Sequence, residues 1–254
     1  MSLARIFRLT VAYDGTEFHG WQKQPGLRTV QGELERAAAE ALGVEHVTVN
    51  GAGRTDGGVH ARGQVASLLV DTVLPASAIG ALTQRGLPRD VRIVAASEEP
   101  AGFHARHSAR ARRYSYRLLD HADVLQGRHA WCPGRAVNGE RLERSAEPLL
   151  GEHDYSAFEA AGSSKVNPVC RVTLARWRRW EAGWIFDVTA NHFLYHMVRN
   201  LVGTALRVQR DADPAIRVAE ILASRDRSRS GATVAPRGLC LEEVCYEDEG
   251  GQSR

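Results

Sequence analysis

The segment from residue 51 to residue 61 places one aspartate on a loop rich in glycine. It reads Gly-Ala-Gly-Arg-Thr-Asp-Gly-Gly-Val-His-Ala, and its glycines permit tight turns and the close approach of a ligand or another backbone. Asp56, with Arg54 two residues before it, could act as a nucleophile, a metal ligand or a turn residue. The residue types alone favour the turn, because Asp and Gly are among the commonest turn formers. A metal site is disfavoured, since no second carboxylate lies nearby in the sequence.

Two other segments combine arginines with aromatic residues. Two of the 33 basic residues are lysines and the other 31 are arginines, and the net charge is +3. The arginine-rich segments, residues 106–117 and 171–180, contain no acidic residue. Basic side chains interleaved with aromatics are typical of surfaces that bind nucleic acid. They also occur on exposed edge strands, and a GC-rich genome supplies arginine by default, so both explanations stay open.

The histidines and cysteines do not indicate a metal or redox site. His192 and His196 stand four residues apart on a predicted helix, but the glutamate that follows the first histidine of a zinc-protease helix is absent. The four cysteines form no C-x-x-C pair, which argues against a zinc knuckle or a redox motif of that kind. The sequence therefore predicts no bound metal.

The elements that must position Asp56 come from the first hundred residues. Apolar side chains alternate with polar or small ones along residues 7–13, which predicts a half-buried strand. A helix is predicted over residues 29–42, with Thr29 as its N-cap and Gly43 at its end. The remaining predicted elements are strands at 47–50, 64–70 and 91–97 and a helix at 75–85.

The second half of the chain also mixes strands and helices, without a repeating βαβ order. The predicted strands cover residues 114–118, 172–180, 184–190 and 239–246, and the predicted helices cover 138–150, 191–207 and 214–223. We expect the three tryptophans of the hairpin at 172–190 to serve in packing. The fold class is thus predicted to be α+β: two α+β domains, residues 1–105 and 106–254, that share a mostly antiparallel mixed sheet with flanking helices.

The overall composition is that of a globular protein. Hydrophobic residues make up 43% and charged residues 25% of the 254, which argues against a disordered, collagen-like or coiled-coil chain. No apolar run approaches the roughly 18–20 residues that a membrane span requires, and the first ten residues lack the core of a signal peptide. We therefore expect a cytoplasmic protein without a membrane partner.

The octapeptide Arg-Thr-Asp-Gly-Gly-Val-His-Ala at residues 54–61 resembles the R-T-D-x-G-V-H-A signature of the TruA-type tRNA pseudouridine synthases. The resemblance extends to four more blocks, which follow one another in the family's order over nearly the whole chain. Gly57 departs from the signature, because the family usually carries alanine there. The four blocks are residues 13–31, 103–116, 191–200 and 235–241.

The resemblance implies the pseudouridine-synthase fold and makes Asp56 the catalytic nucleophile. The implied reaction converts uridine to pseudouridine at positions 38, 39 and 40 in the anticodon stem-loop of tRNA: the bond between uracil N1 and ribose C1′ breaks, the base turns, and C5 joins C1′. A carboxylate can assist by adding to uracil C6 or by acting at ribose C1′, and both routes stay open. Neither route needs a metal, a nucleotide or a redox group, so no cofactor is expected.

The same resemblance assigns three further site residues. Tyr114 would stack on the target uracil, and its hydroxyl could take or relay the C5 proton. Arg199 would keep Asp56 ionised, since a guanidinium lowers the pKa of a carboxyl group. Arg54 would fill the space that the target nucleotide leaves. The resemblance further implies a homodimer with tRNA as its partner.

Two other classes of function remain as alternatives. A protein that only binds RNA would use the loop for phosphates, but it has no need of Asp56, whose charge repels phosphate. A hydrolase of free nucleosides with a carboxylate nucleophile would need a second carboxylate as its acid or base, and none is apparent.

Overall fold

The computed structural model describes residues 4–162 and 167–246, which form two compact units. Unit 1 comprises residues 4–110 and 241–246, so the chain returns to it near the C-terminal end. Unit 2 comprises the described residues between 111 and 240. The two domains predicted at 1–105 and 106–254 stay a prediction, and their outer bounds lie outside the described residues.

Unit 1 is built on an antiparallel sheet with β1 (Ala4–Tyr13) inside it. β1 pairs with β3 (His60–Asp71) on one side and with β4 (Val91–Glu99) on the other. The alternation predicted for this strand is confirmed, because Phe7, Leu9 and Val11 are fully buried. The short strand β2 (Val49–Gly51) adds to β3, and the last strand of the chain lies next to β3 in the strand order.

Two helices pack on unit 1. In α1 (Val30–Leu42), the Thr29 hydroxyl accepts a hydrogen bond from the Gly32 N–H, and Gly43 ends the helix with a left-handed φ of 67°. Both predicted caps are therefore confirmed. The second helix, α2 (Ala76–Gly86), contacts α1 and β4, and it begins one residue after Pro75.

Unit 2 contains a second run of antiparallel strands in the order β5, β8, β7, β6. The predicted hairpin is confirmed, and Trp177 packs in it as expected, buried with its ring 5.0 Å from that of Phe186. The four residues of β6 carry no alternating apolar pattern and were not predicted as a strand. The bounds are Ala111–Leu119 for β5, Gly151–Asp154 for β6, Val169–Trp180 for β7 and Gly183–Ala190 for β8.

The helices of unit 2 differ from the prediction at two ends. α3 (Gly139–Ala146) is shorter than predicted, because Pro148 lacks the N–H that an α-helix requires, and the chain continues as a 3-10 turn. α4 (Met197–Val208) begins six residues later than predicted, because His196 has a left-handed φ of 58°. His192 and His196 therefore do not share a helix face.

The final elements are α5 (Pro214–Ser224) and β9 (Leu239–Cys245), whose residues divide between the two units at 241. β9 ends one residue before the prediction. Short 3-10 helices occur at Gly15–Glu17, Glu147–Leu149, Ser156–Phe158, Arg227–Arg229 and Pro236–Gly238. The predicted fold class, α+β with a mostly antiparallel sheet and flanking helices, is confirmed. Among the described residues, no helix combines the length and the apolarity that crossing a membrane takes.

Candidate active site

Asp56 lies in unit 1 on the loop that joins β2 to β3. The Asp56 carbonyl accepts a hydrogen bond from the Val59 N–H at 3.2 Å, and Gly58 has a φ of 79°, so the backbone turns here as the residue types indicate. Thr55 is buried, Asp56 is half-buried, and Arg54 is exposed. The loop thus presents one carboxylate and one guanidinium while the residue between them packs inward.

The segment after β1 holds this loop from one side. The Trp21 N–H donates to the Thr55 carbonyl at 3.0 Å, and the Gly58 N–H donates to the Phe18 carbonyl at 3.3 Å. Gly20 has a φ of 93°, and a Cβ there would lie 2.7 Å from the Thr55 oxygen. Only a glycine fits at that position, so the segment that contains Gly20 packs closely against the aspartate loop.

The departure from the family signature at Gly57 is accommodated by the local geometry. Gly57 is not among the glycines with positive φ, and a Cβ there would meet the Phe18 carbonyl oxygen at 3.4 Å, an ordinary contact. Alanine and glycine both fit the loop at residue 57. The next residue, Gly58, requires the left-handed conformation.

Polar side chains below the loop were not singled out by the sequence analysis. Tyr13 Oη lies 2.8 Å from Thr55 Oγ1, and Gln64 Nε2 donates to the Gly53 carbonyl at 2.9 Å. His60, the first residue of β3, accepts a hydrogen bond at Nδ1 from the Gly15 N–H at 3.1 Å. One signal was available: Gln64 is a polar residue among the buried positions of a strand, and such residues are usually held by specific partners.

Tyr114 lies in unit 2 on β5, opposite Val188 of β8. Its side chain is nearly buried, with 9% exposure, and its ring meets that of Phe193 edge-on at 5.1 Å between centroids. Phe193 belongs to the non-helical residues before α4. The late start of α4 therefore puts an aromatic ring against Tyr114.

Arg199 lies in the first turn of α4, also in unit 2. Its Nε donates to the Val234 carbonyl at 2.8 Å, so the side chain is anchored to the segment before β9. Tyr116 hydrogen-bonds the adjacent Ala235 carbonyl at 2.7 Å. Burial raises the pKa of Tyr116 far above its usual range, although the positive charges of Arg199 and Arg237 oppose the shift. Tyr116 is therefore a neutral hydrogen-bond donor.

In the second arginine-rich segment, acidic residues from other parts of the chain pair with the arginines. Asp187 of β8 is buried, and its Oδ2 lies 2.6 Å from Arg178 Nε and 3.6 Å from Arg176 Nε. Arg179 pairs with Asp120 at 2.6 Å. In the first segment Arg106, Arg110 and Arg113 are exposed. Both segments therefore present exposed arginines, and in the second segment Arg176, Arg178 and Arg179 are paired with acidic residues.

Comparison with known proteins gives a consistent result. A family model described as tRNA pseudouridine synthase matches residues 9–108 and 146–247. The chain is 37% identical over 244 residues to tRNA pseudouridine synthase A of Acetivibrio thermocellus, covering 95% of this chain and 100% of the relative. It is 41% identical over 251 residues to tRNA pseudouridine synthase A of Methylococcus capsulatus, covering 97% and 91%.

The matched residues include Arg54, Asp56 and Arg199, whereas Tyr114 lies between the two matched ranges. Together the two ranges cover well over half of the chain, and the two relatives match it nearly from end to end. The chain therefore belongs to the tRNA pseudouridine synthase family, whose members are isomerases.

Proposed function

We propose that this protein isomerises uridine to pseudouridine at positions 38, 39 and 40 in the anticodon stem-loop of tRNA, with Asp56 as the nucleophile. Family membership supports uridine isomerisation in tRNA. The structure of the loop supports Asp56 as the nucleophile. Asp56 is half-buried on a turn, and the residues on both sides of it are held by hydrogen bonds. A nucleophile must be held in this way, because small displacements of a reacting group lower the rate steeply.

The proposed chemistry uses one carboxylate and no cofactor. Asp56 acts as an ion, either by adding to uracil C6 or by attacking or stabilising ribose C1′ while the bond to N1 breaks. After the base has turned, C5 bonds to C1′, the proton on C5 leaves, and N1, which has lost its bond to C1′, takes up a proton. The product has the same composition as uridine, so neither a co-substrate nor an oxidant enters the balance.

The proposal assigns roles to three other residues. Tyr114 binds the target base through its ring, and its position beside Phe193 supports a role in stacking. Arg199 binds the target nucleotide, and its anchor on Val234 supports a fixed direction for the guanidinium. Arg54 is exposed on the loop, where its side chain can contact RNA and fill the space that the extruded nucleotide leaves.

The proposed partner is the folded tRNA. Extruding a paired nucleotide costs a few kcal/mol, which contacts elsewhere on the RNA must offset. The exposed arginines of residues 106–117 suit contacts with phosphate. The proposal also includes two domains at residues 1–105 and 106–254, a homodimer and a cytoplasmic location. The homodimer rests on the resemblance, whereas the domains and the location rest on the sequence patterns described above.

Mapping pseudouridine in tRNA incubated with the purified protein tests the proposal. We expect modification at uridines 38, 39 and 40 and at no other uridine. A protein that only binds RNA would leave the tRNA unmodified, and a nucleoside hydrolase would release free uracil from uridine. Modification at a different position would keep the family activity and overturn the proposed target.

A further inference from the structure

Three buried polar side chains form a hydrogen-bonded chain under the Asp56 loop. Tyr13 Oη lies 2.8 Å from Thr55 Oγ1, and Gln64 Nε2 lies 3.5 Å from Tyr13 Oη while donating to the Gly53 carbonyl at 2.9 Å. The exposures of these residues are 5% for Tyr13, 6% for Thr55 and 0% for Gln64. Such groups are costly to bury without partners, so their arrangement is specified rather than incidental.

The Gln64 amide donates to Tyr13. Its Oε1 accepts from the Val65 N–H at 3.1 Å, which identifies Nε2 as the atom that faces Tyr13. An amide nitrogen only donates, so Tyr13 Oη accepts from it. Between Tyr13 Oη and Thr55 Oγ1 either hydroxyl can donate, and the bond fixes the Thr55 side chain in both cases.

The anchored atoms lie on both sides of Asp56. Before it, Gly53 is held by Gln64, and Thr55 is held by Tyr13 through the side chain and by Trp21 through the carbonyl. After it, Gly58 is held by the Phe18 carbonyl. The Thr55 hydroxyl is the side-chain anchor nearest to Asp56 among these, one residue away.

We infer that Thr55, held by Tyr13, is a positioning residue that sets the Asp56 carboxylate for attack on the target nucleotide. The inference rests on the proposed role of Asp56 as nucleophile. Thr55 is buried and acts through its neighbour, so its loss affects the rate of the chemical step rather than the affinity for tRNA.

The experiment compares Thr55→Val, which removes the hydroxyl at nearly constant shape, with Thr55→Ser, which keeps it. We expect Thr55→Val to lower the single-turnover rate of pseudouridine formation by about 10- to 100-fold, with tRNA affinity within about threefold of wild type. Thr55→Ser should recover most of the rate. Tyr13→Phe removes the partner and should match Thr55→Val, and the double variant should be no slower than either, because both changes break one bond.

Thr83→Val is the matched control. Thr83 is also buried in unit 1, but its hydroxyl has no hydrogen-bond partner within residues 4–162 and 167–246. This variant should keep the wild-type rate. Wild-type rates for Thr55→Val and Tyr13→Phe, or equal losses in Thr55→Ser, would overturn the inference.

Hydrogen exchange on the free protein separates this inference from the proposed function. We expect faster exchange of the Trp21 and Gly58 amides in Thr55→Val and unchanged exchange in Thr55→Ser and Thr83→Val. Unchanged exchange in Thr55→Val would overturn the positioning role even if the wild-type protein left tRNA unmodified. An inactive wild type, or an active Asp56→Asn, would instead count against the proposed function.

Discussion

Arg199 Nε donates a hydrogen bond of 2.8 Å to the carbonyl oxygen of Val234, and this bond fixes the guanidinium at the start of α4. The segment that supplies the carbonyl is itself held on α4. Gly231 N–H donates to Thr204 Oγ1 at 2.8 Å, and a Cβ at Gly203 would lie 1.8 Å from the Ala232 oxygen. The close packing of this segment therefore sets the direction of Arg199.

We expect Arg199→Lys to lower the rate of pseudouridine formation by at least about tenfold, because lysine cannot reproduce the fork of donors in a guanidinium. The affinity for tRNA should change by no more than a few-fold. Single-turnover rates and binding measured on the same preparation check this. Arg217→Ala, which removes an arginine paired with Glu220 on α5, serves as the control. Equal losses in rate and affinity would contradict the proposed role of Arg199.

Gly57 and Gly58 should respond in opposite directions to substitution by alanine. Gly57→Ala should stabilise the protein by about 0.4–1 kcal/mol, because alanine fits the backbone and restricts the unfolded chain. Gly58→Ala should destabilise it by about 1 kcal/mol or more, since its φ of 79° is unfavourable for alanine. Denaturant unfolding of both variants checks the signs. A destabilised Gly57→Ala would show that the loop has another reason for glycine at that position.

Arginines of the two basic segments should contribute unequally to tRNA binding. Arg110 is exposed, so Arg110→Ala should reduce the slope of log affinity against log salt by about 0.7–0.9, the counterion release of one phosphate contact. Arg178→Ala should change the slope less, because Arg178 is paired with Asp187. Titrations at several salt concentrations provide the slopes. Equal slopes for Arg110→Ala and wild type would mean that the first segment does not contact the tRNA backbone.

Cys170 should resist alkylation in the folded protein. Burial raises the pKa of its thiol to about 12, so little thiolate exists at pH 9. In the unfolded chain the thiol ionises at about pH 8.5, so its ionisation favours unfolding as the pH rises from there toward 12. Mass spectrometry after alkylation at pH 9 should find the half-buried Cys132 modified before Cys170. Modification of both at one rate would contradict the burial argument.

The sequence predicted those features that depend on neighbours along the chain. The alternation in β1 and the caps of α1 at Thr29 and Gly43 were predictable, because each is a local pattern. The sequence pattern places the start of α4 six residues too early, because no local pattern indicates that His196 adopts a left-handed φ. The pattern also places the end of α3 too late, although Pro148 indicates an earlier end.

The residues that support the candidate site were harder to predict, because their partners are distant in sequence. Thr55 and Tyr13 are 42 residues apart, and the Asp187 that pairs with Arg178 comes from the neighbouring strand. A count of charges in a sequence window cannot include a partner on another strand. Asp56 and Arg199, by contrast, are predicted from the resemblance, because each lies in a segment that matches a family motif.

Pseudouridine mapping with wild type and Asp56→Asn tests the central claim most directly. The amide keeps the size of the side chain and removes the nucleophile, while binding depends mostly on arginine contacts with phosphate. We expect pseudouridine at positions 38, 39 and 40 with the wild-type protein and none with Asp56→Asn, whose affinity for tRNA should stay within a few-fold of wild type. Turnover by purified Asp56→Asn near the wild-type rate would contradict the assignment of Asp56 as the nucleophile.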